Sequence, residues 1–173
     1  MEEKDILPIL TYPNEILSRV SVPIDQITPE IKSLAQKMVT TMYEKRGIGL
    51  AAPQVGHNIR LITVDISGPD ERKDLIILLN PTIVESSGQI EMEEGCLSVV
   101  GYQAKVKRAA KIKVEAIDLQ GEKLCLQAEE LFAVCLQHEI DHLDGILFID
   151  RISKLKRRLY EQRLQKWMKK RKK

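Results

Sequence analysis

Histidine, cysteine and aromatic residues are scarce in this 173-residue chain: three His, three Cys, and Phe, Trp and Tyr together at 4%. An odd number of thiols without a regular spacing excludes a disulfide framework and points to a reducing environment with free thiols or metal ligands. No apolar run approaches the roughly 20 residues that a membrane-spanning helix requires. The opening MEEKDILPILTYP has no basic region followed by a long apolar stretch, so no signal peptide is expected and the expected location is cytoplasmic. Internal repeats and low-complexity linkers are missing too. The length fits one domain, 1–173, with 151–173 as an extension.

The net charge of +2 conceals an asymmetry, because residues 151–173 hold 12 of the 27 basic residues and one acid, Glu161. The rest is therefore net −9 and the tail +11. An acidic body poor in aromatic rings argues against an extended nucleic-acid surface, while the basic tail invites an anionic partner.

Thr28-Pro29-Glu30 reads as an N-cap, a proline at the first helical position and an acid in the first turn. Ile31, Leu34, Ala35, Met38 and Met42 then recur at helical spacing, which predicts a helix over 29–45 ended by Gly47 and Gly49. IRLITVDI (59–66) and LIILLN (75–80) read as strands around the turn cluster SGPDERKD. KIKVEAID (111–118) alternates like a half-solvated strand, and LQGEK turns it into LCLQA. A largely buried helix is expected from Glu129 to about Leu143, stopped by Gly145. A second long helix is expected over 151–170, with Ile152, Leu155, Leu159, Trp167 and Met168 on its apolar stripe. Strands in the middle and helices flanking them give an α+β class, with mostly antiparallel strands packed around a central helix that carries HEIDH.

HEIDH (138–142) places two histidines four apart, on one helical face, with Glu139 directly after the first. That spacing suits two imidazoles on one metal ion with a carboxylate beside an activated water. A tetrahedral catalytic site needs a third protein ligand. The peptidase pattern H-E-x-x-H-x-x-G-x-x-H matches through Gly145 and then offers Phe148, which cannot ligate. A downstream glutamate would have to be Glu161, in the basic tail. The other candidates are His57, in a polar turn, and three cysteines. Cys135 lies about 10 Å along the helix axis from His142, at ~1.5 Å per residue, and reads as an apolar wall. Cys125 falls in a strand and reads as core. Cys96, in EMEEGCLSVVG, follows Gly95 in a non-periodic polar segment, which core packing explains poorly.

GIGLAAPQ (47–54), EGCLS (94–98) and QHEIDH (137–142), in this order, resemble the motifs of the peptide deformylase family over essentially the whole chain. The basic helical extension is similar to that of its bacterial branch. The resemblance implies that Cys96, His138 and His142 hold a divalent metal, ferrous iron in the cell, with zinc, nickel or cobalt able to replace it. It implies hydrolytic removal of the N-formyl group from the initiator methionine of new polypeptides, releasing formate. Glu139 would move the proton, and the Gln54 amide with the Leu97 N–H would stabilise the oxyanion. Leu131, Val134 and Cys135, closed by Ile48, would receive the methionine side chain. Gly49, Glu94 and Gly95 would border the peptide as an added strand. The same resemblance implies nascent formyl-methionyl peptides as substrates and a ribosome reached through the basic C-terminal helix, with no membrane or DNA partner. Two departures stand out. Val100 occupies a position where the family often has proline, and Lys45-Arg46 precede Gly47 where acids are common, so an acid–base pair expected with Arg108 would become basic with basic. Two other readings compete: a zinc metallopeptidase of another type, and a nucleic-acid- or ribosome-binding module built on the tail.

Overall fold

The computed structural model describes residues 5–172; the first four residues and the last residue of the expected domain lie outside the described residues. Helix α1 (Pro29–Glu44) starts as its sequence dictates, with the Thr28 hydroxyl accepting from the Ile31 N–H and proline in the first turn. It ends differently from expectation. Arg46 N–H bonds to Tyr43 C=O and Gly47 N–H to Met42 C=O, both at 2.9 Å, the paired bonds of a Schellman stop. The residue in the left-handed position is Arg46 (φ 57°), not a glycine. A side chain there costs about 1–2 kcal/mol.

The apolar face of α1 (Leu34, Ala35, Met38, Val39, Met42) is buried against the first two strands, β1 (Gly49–Ala51) and β2 (Leu61–Val64). SGPDERKD contains a single helical turn, α2 (Gly68–Glu71). Next come β3 (Ile76–Ser87), β4 (Ile90–Cys96), β5 (Val99–Arg108), β6 (Lys111–Ile117) and β7 (Lys123–Glu129). β3 runs seven residues past the expected LIILLN strand, and the hairpin β4–β5 was not foreseen. β1, β2, β3, β6 and β7 form one antiparallel sheet in that order, and β4–β5 form a second. Pro81, which cannot donate to a ladder, sits where the β3–β6 register shifts between Leu79 and Thr82.

Helix α3 (Glu130–Leu143) carries HEIDH and packs Ala133, Leu136, Ile140 and Leu143 against the apolar face of the large sheet. Gly145 (φ 72°) turns the chain away where a Cβ would lie 2.6 Å from the Ser18 carbonyl oxygen. Helix α4 (Lys154–Arg171) begins after a short 3-10 turn at Phe148–Arg151, capped by the Ser153 hydroxyl. Its expected apolar stripe is largely wrong. Leu155, Leu159, Trp167 and Met168 are exposed, and the buried residues are Tyr160 and Leu164, packed with Phe148, Ile149, Val99 and Val106. Helical spacing found an apolar row but not the neighbour: the hairpin reaches the opposite side of the helix. The mixed α+β class with antiparallel strands around α3 is observed.

Candidate metal and active site

His138 and His142 stand one turn apart on α3, and their rings meet edge to face with centroids 5.0 Å apart. Cys96 arrives from the other side. It is the last residue of β4, where the register shifts between Gly95 and Cys96 and the two-residue turn Leu97–Ser98 leads into β5. The bulge aims the thiol at the helix. Ligand atoms of Cys96, His138 and His142 lie within 4.8 Å of one another, and Cys96 Sγ is 3.4 Å from His142 Nε2. Ligands at ~2.3 Å (sulfur) and ~2.0 Å (nitrogen) across a tetrahedral angle stand about 3.5 Å apart, so the donor set fits one ion.

Each ligand is held by its surroundings. His138 Nδ1 lies 2.8 Å from Glu94 Oε1. Burial opposes the Glu94 charge, but its bonds to His138 and Arg108 prevail and hold the carboxyl below its usual range. Glu94 is thus an acceptor, which puts the His138 proton on Nδ1 and leaves Nε2 to ligate. Arg108 grips Glu94 with two bonds of 2.6 and 2.8 Å and reaches Asp141 at 2.9 Å. Arg151 closes the chain on Asp141 at 2.5 and 2.7 Å. Burial first, with the Arg108 charge adding to it, pushes His142 well below its ordinary value and keeps the ring neutral, the form in which an imidazole can ligate. Its Nδ1 is buried without a hydrogen-bond partner among the described residues.

This network corrects one reading and places a buried acid. Asp141 is a buried carboxylate between two arginines, whereas Asp144 faces solvent beside Arg60. Arg108 does not meet Lys45-Arg46; it pairs with Glu94 and Asp141, and Arg46 pairs with Asp70 on the surface. Sequence reasoning singled out Arg108 but gave it the wrong neighbours, although a signal for its buried partners existed. Ala104, Val106 and Arg108 share the buried face of β5 while Lys105 and Lys107 face out, so a charge on an apolar row called for a buried partner.

Glu139 is 4% exposed, and its Oε2 has no partner among the described residues. Burial pushes its carboxyl up to about 7. Gly49 packs directly on it: a Cβ there would lie 2.4 Å from Glu139 Oε1. Gln54 is fixed by Ala51, whose N–H donates to Oε1 at 3.0 Å. That bond assigns the amide, so Nε2 points into the site, 3.1 Å from Ser98 Oγ and 3.5 Å from Cys96 Sγ.

Cys96, His138 and Glu139 open into a cleft of about 680 Å³. All seven residues expected at the substrate line it: Ile48, Gly49, Glu94, Gly95, Leu131, Val134 and Cys135, with Gln54 and Leu97. The Glu94 side chain, committed to Arg108 and His138, supports the ligand rather than facing the opening. Cys135 is buried, its thiol 3.7 Å from the Ile48 carbonyl, as a wall residue should be. Cys125 is exposed, not core, and His57 is a surface residue as expected. Phe148 is buried beside the candidate metal site, its ring 6.3 Å from that of His138 and 6.1 Å from that of Tyr102, which lines the cleft.

The family model described as Polypeptide deformylase matches residues 6–158. A peptide deformylase of Thermodesulfovibrio yellowstonii is 47% identical over 158 residues, 91% of this chain and 96% of that protein. The crystal structure of a peptide deformylase from Legionella pneumophila is similar with a TM-score of 0.89 and 42% identity, over 97% of this chain and 98% of that one. A peptide deformylase from Ehrlichia chaffeensis, in complex with actinonin, gives a TM-score of 0.86 at 35% identity, over 93% and 96%.

Proposed function

From the premise that this chain belongs to the peptide deformylase family, a family of metalloenzymes that remove the formyl group from nascent peptides, we propose how its own residues perform the reaction. Cys96, His138 and His142 hold the catalytic metal. Their convergence, with an unpartnered Glu139 oxygen beside them, is the observation that carries this reading. We take the ion to be ferrous iron in the cell, because a thiolate with two imidazoles suits a borderline metal; zinc, nickel and cobalt are substitutes. When bound, the metal supplies the Lewis acidity that makes water nucleophilic near neutral pH.

The protein residues do the rest. Glu139, poised near neutrality by burial, accepts the proton of the attacking water and delivers it to the leaving amine. The Gln54 Nε2–H and the Leu97 backbone N–H donate to the formyl oxygen as it gains charge. The methionine side chain enters between Leu131, Val134 and Cys135, closed by Ile48. β1 is an edge strand. Asp65 N–H bonds to the Ile48 carbonyl at 2.8 Å, so the ladder turns the Gly49 N–H and C=O toward the free edge, where a peptide adds as a strand. Gly95 borders the same cleft from β4.

Residues 1–173 act as one deformylase domain in the cytoplasm, and the basic tail 151–173 guides the enzyme to the ribosome. The charge asymmetry supports the docking role; no membrane or DNA contact is part of the proposal. A zinc peptidase of another type has no support from the ligand set, since neither His57 nor Glu161 approaches the metal site: Glu161 bonds to Tyr12 and Arg157. The decisive assay is anaerobic formate release from formyl-Met-Ala-Ser. Glu139→Ala is expected to lower turnover by about 10²–10⁴-fold with metal retained. Equal rates in the intact and substituted enzymes would reject this mechanism.

A further inference from the structure

We propose that Arg46 makes the enzyme prefer formyl peptides with an acidic side chain at the second or third residue. The inference rests on the cleft being the formyl-methionyl site, and it deepens that reading.

Arg46 lines the mouth of the cleft beside Gly47. It holds the left-handed position of the α1 stop, where glycine is favoured and a long side chain is a cost. Its contact with Asp70 does not account for that cost. The two side chains are 68% and 77% exposed, and an exposed pair contributes little. A strained arginine at the mouth of a substrate cleft therefore needs another reason.

Geometry supplies it. The formyl end of the substrate lies by Glu139, which Gly49 touches. A strand added along the free edge of β1 and leaving past Gly47 reaches Arg46 after about 10 Å, three residues at ~3.3 Å each. Methionine takes the pocket beside the metal, so the second or third side chain meets the guanidinium. The opposing rim does not cancel this charge. Glu93 also lines the cleft, but it stands cross-strand from Lys105, and Gln103 beside it is neutral. The fork already meets a carboxylate with both nitrogens, Nη2 at 2.9 Å and Nη1 at 3.4 Å from the Asp70 oxygens. A substrate carboxylate can take the same approach.

The test uses the metal-loaded enzyme, anaerobically, with C-terminally amidated formyl-Met-X-Ala and formyl-Met-Ala-X, X being Glu, Gln or Lys. Amidation removes the terminal carboxylate, which Arg46 would otherwise also attract. In at least one series kcat/KM is expected to run Glu over Gln over Lys, with Glu over Lys about threefold to tenfold. The ratio should lie mainly in KM and shrink at high ionic strength. Arg46→Glu should reverse the order. Arg46→Gly, which suits the left-handed backbone and keeps the fold, should bring the ratio near one. Equal rates for Glu and Lys peptides in the intact enzyme, or the same preference surviving in both variants, overturn the inference while formate release still stands. No formate from any peptide instead sinks the deformylase reading and the inference with it.

Discussion

Glu94 does three things with one buried carboxylate: it accepts from His138, is gripped by two Arg108 nitrogens, and through Arg108 connects to Asp141 and Arg151. Orientation of a metal-binding imidazole by such a partner commonly contributes 10–100-fold in metal affinity. Glu94→Ala leaves His138 Nδ1 without its acceptor and Arg108 buried with one partner fewer. Metal affinity is expected to fall about 10–100-fold in a chelator competition, and stability by about 3–5 kcal/mol in thermal unfolding of the metal-loaded protein. Unchanged metal affinity would show that His138 is oriented by something else. At this scale the sequence was legible where chemistry is local, as in His138, Glu139 and His142. It misled where one side chain serves another: Arg108 was expected beside Lys45-Arg46, and its pairing with Glu94 and Asp141 emerged only when β5 was laid against α3.

Among the elements, α1 is tied to the end of β2 by one strong contact. Tyr43 donates to Asp65 Oδ2 at 2.5 Å, and Asp65 Oδ1 in turn accepts from the Ser67 N–H and hydroxyl. Burial first, and the Asp65 carboxylate second, push the Tyr43 hydroxyl up to about 12. An unfolded tyrosine loses its proton near pH ~10. Between these values the unfolded chain releases a proton that the native state keeps, so this contribution is complete below pH ~10 and lost as pH rises toward 12. Denaturant midpoints measured across that window should fall for the intact protein and fall less steeply for Tyr43→Phe. The helix α4 teaches the complementary lesson. Its apolar letters could be arranged on a stripe, yet Tyr160 and Leu164 are the residues that bury, because the partner surface is Tyr102 and Phe148. Tyr160 stacks on Tyr102 at 4.8 Å, and Arg163 lies over the Tyr102 ring at 5.6 Å.

For the whole molecule, the acidic body and basic tail set how it meets a polyanion. Deleting α4 is a poor test of docking, since it also removes Tyr160 and Leu164 from a core that includes Phe148 beside His138. Replacing Lys166, Lys169, Lys170, Arg171 and Lys172 with glutamine removes five exposed charges and leaves that core intact. Formate release from formyl-Met-Ala-Ser should persist, while co-sedimentation with ribosomes should weaken and lose much of its salt dependence. Undiminished co-sedimentation would assign ribosome binding to another surface.

HEIDHLDG determined by itself that two imidazoles share one face of a helix with a carboxylate next to the first in the chain, because the 3.6-residue period of the backbone fixes that relation whatever surrounds it. Thr28-Pro29 likewise determined where α1 begins, and alternation revealed β6. The motifs pointed to Cys96 as the third ligand, but only the tertiary structure shows how its thiol comes beside His138 and His142: β4 and β5 pair, a bulge re-aims the thiol, and the hairpin closes on α3. The buried chain from His138 to Arg151, the exposed Cys125 and the buried side of α4 were also settled only in three dimensions. Each depends on which surfaces meet across long separations in the chain, and that is a property of packing, to which no local period gives access.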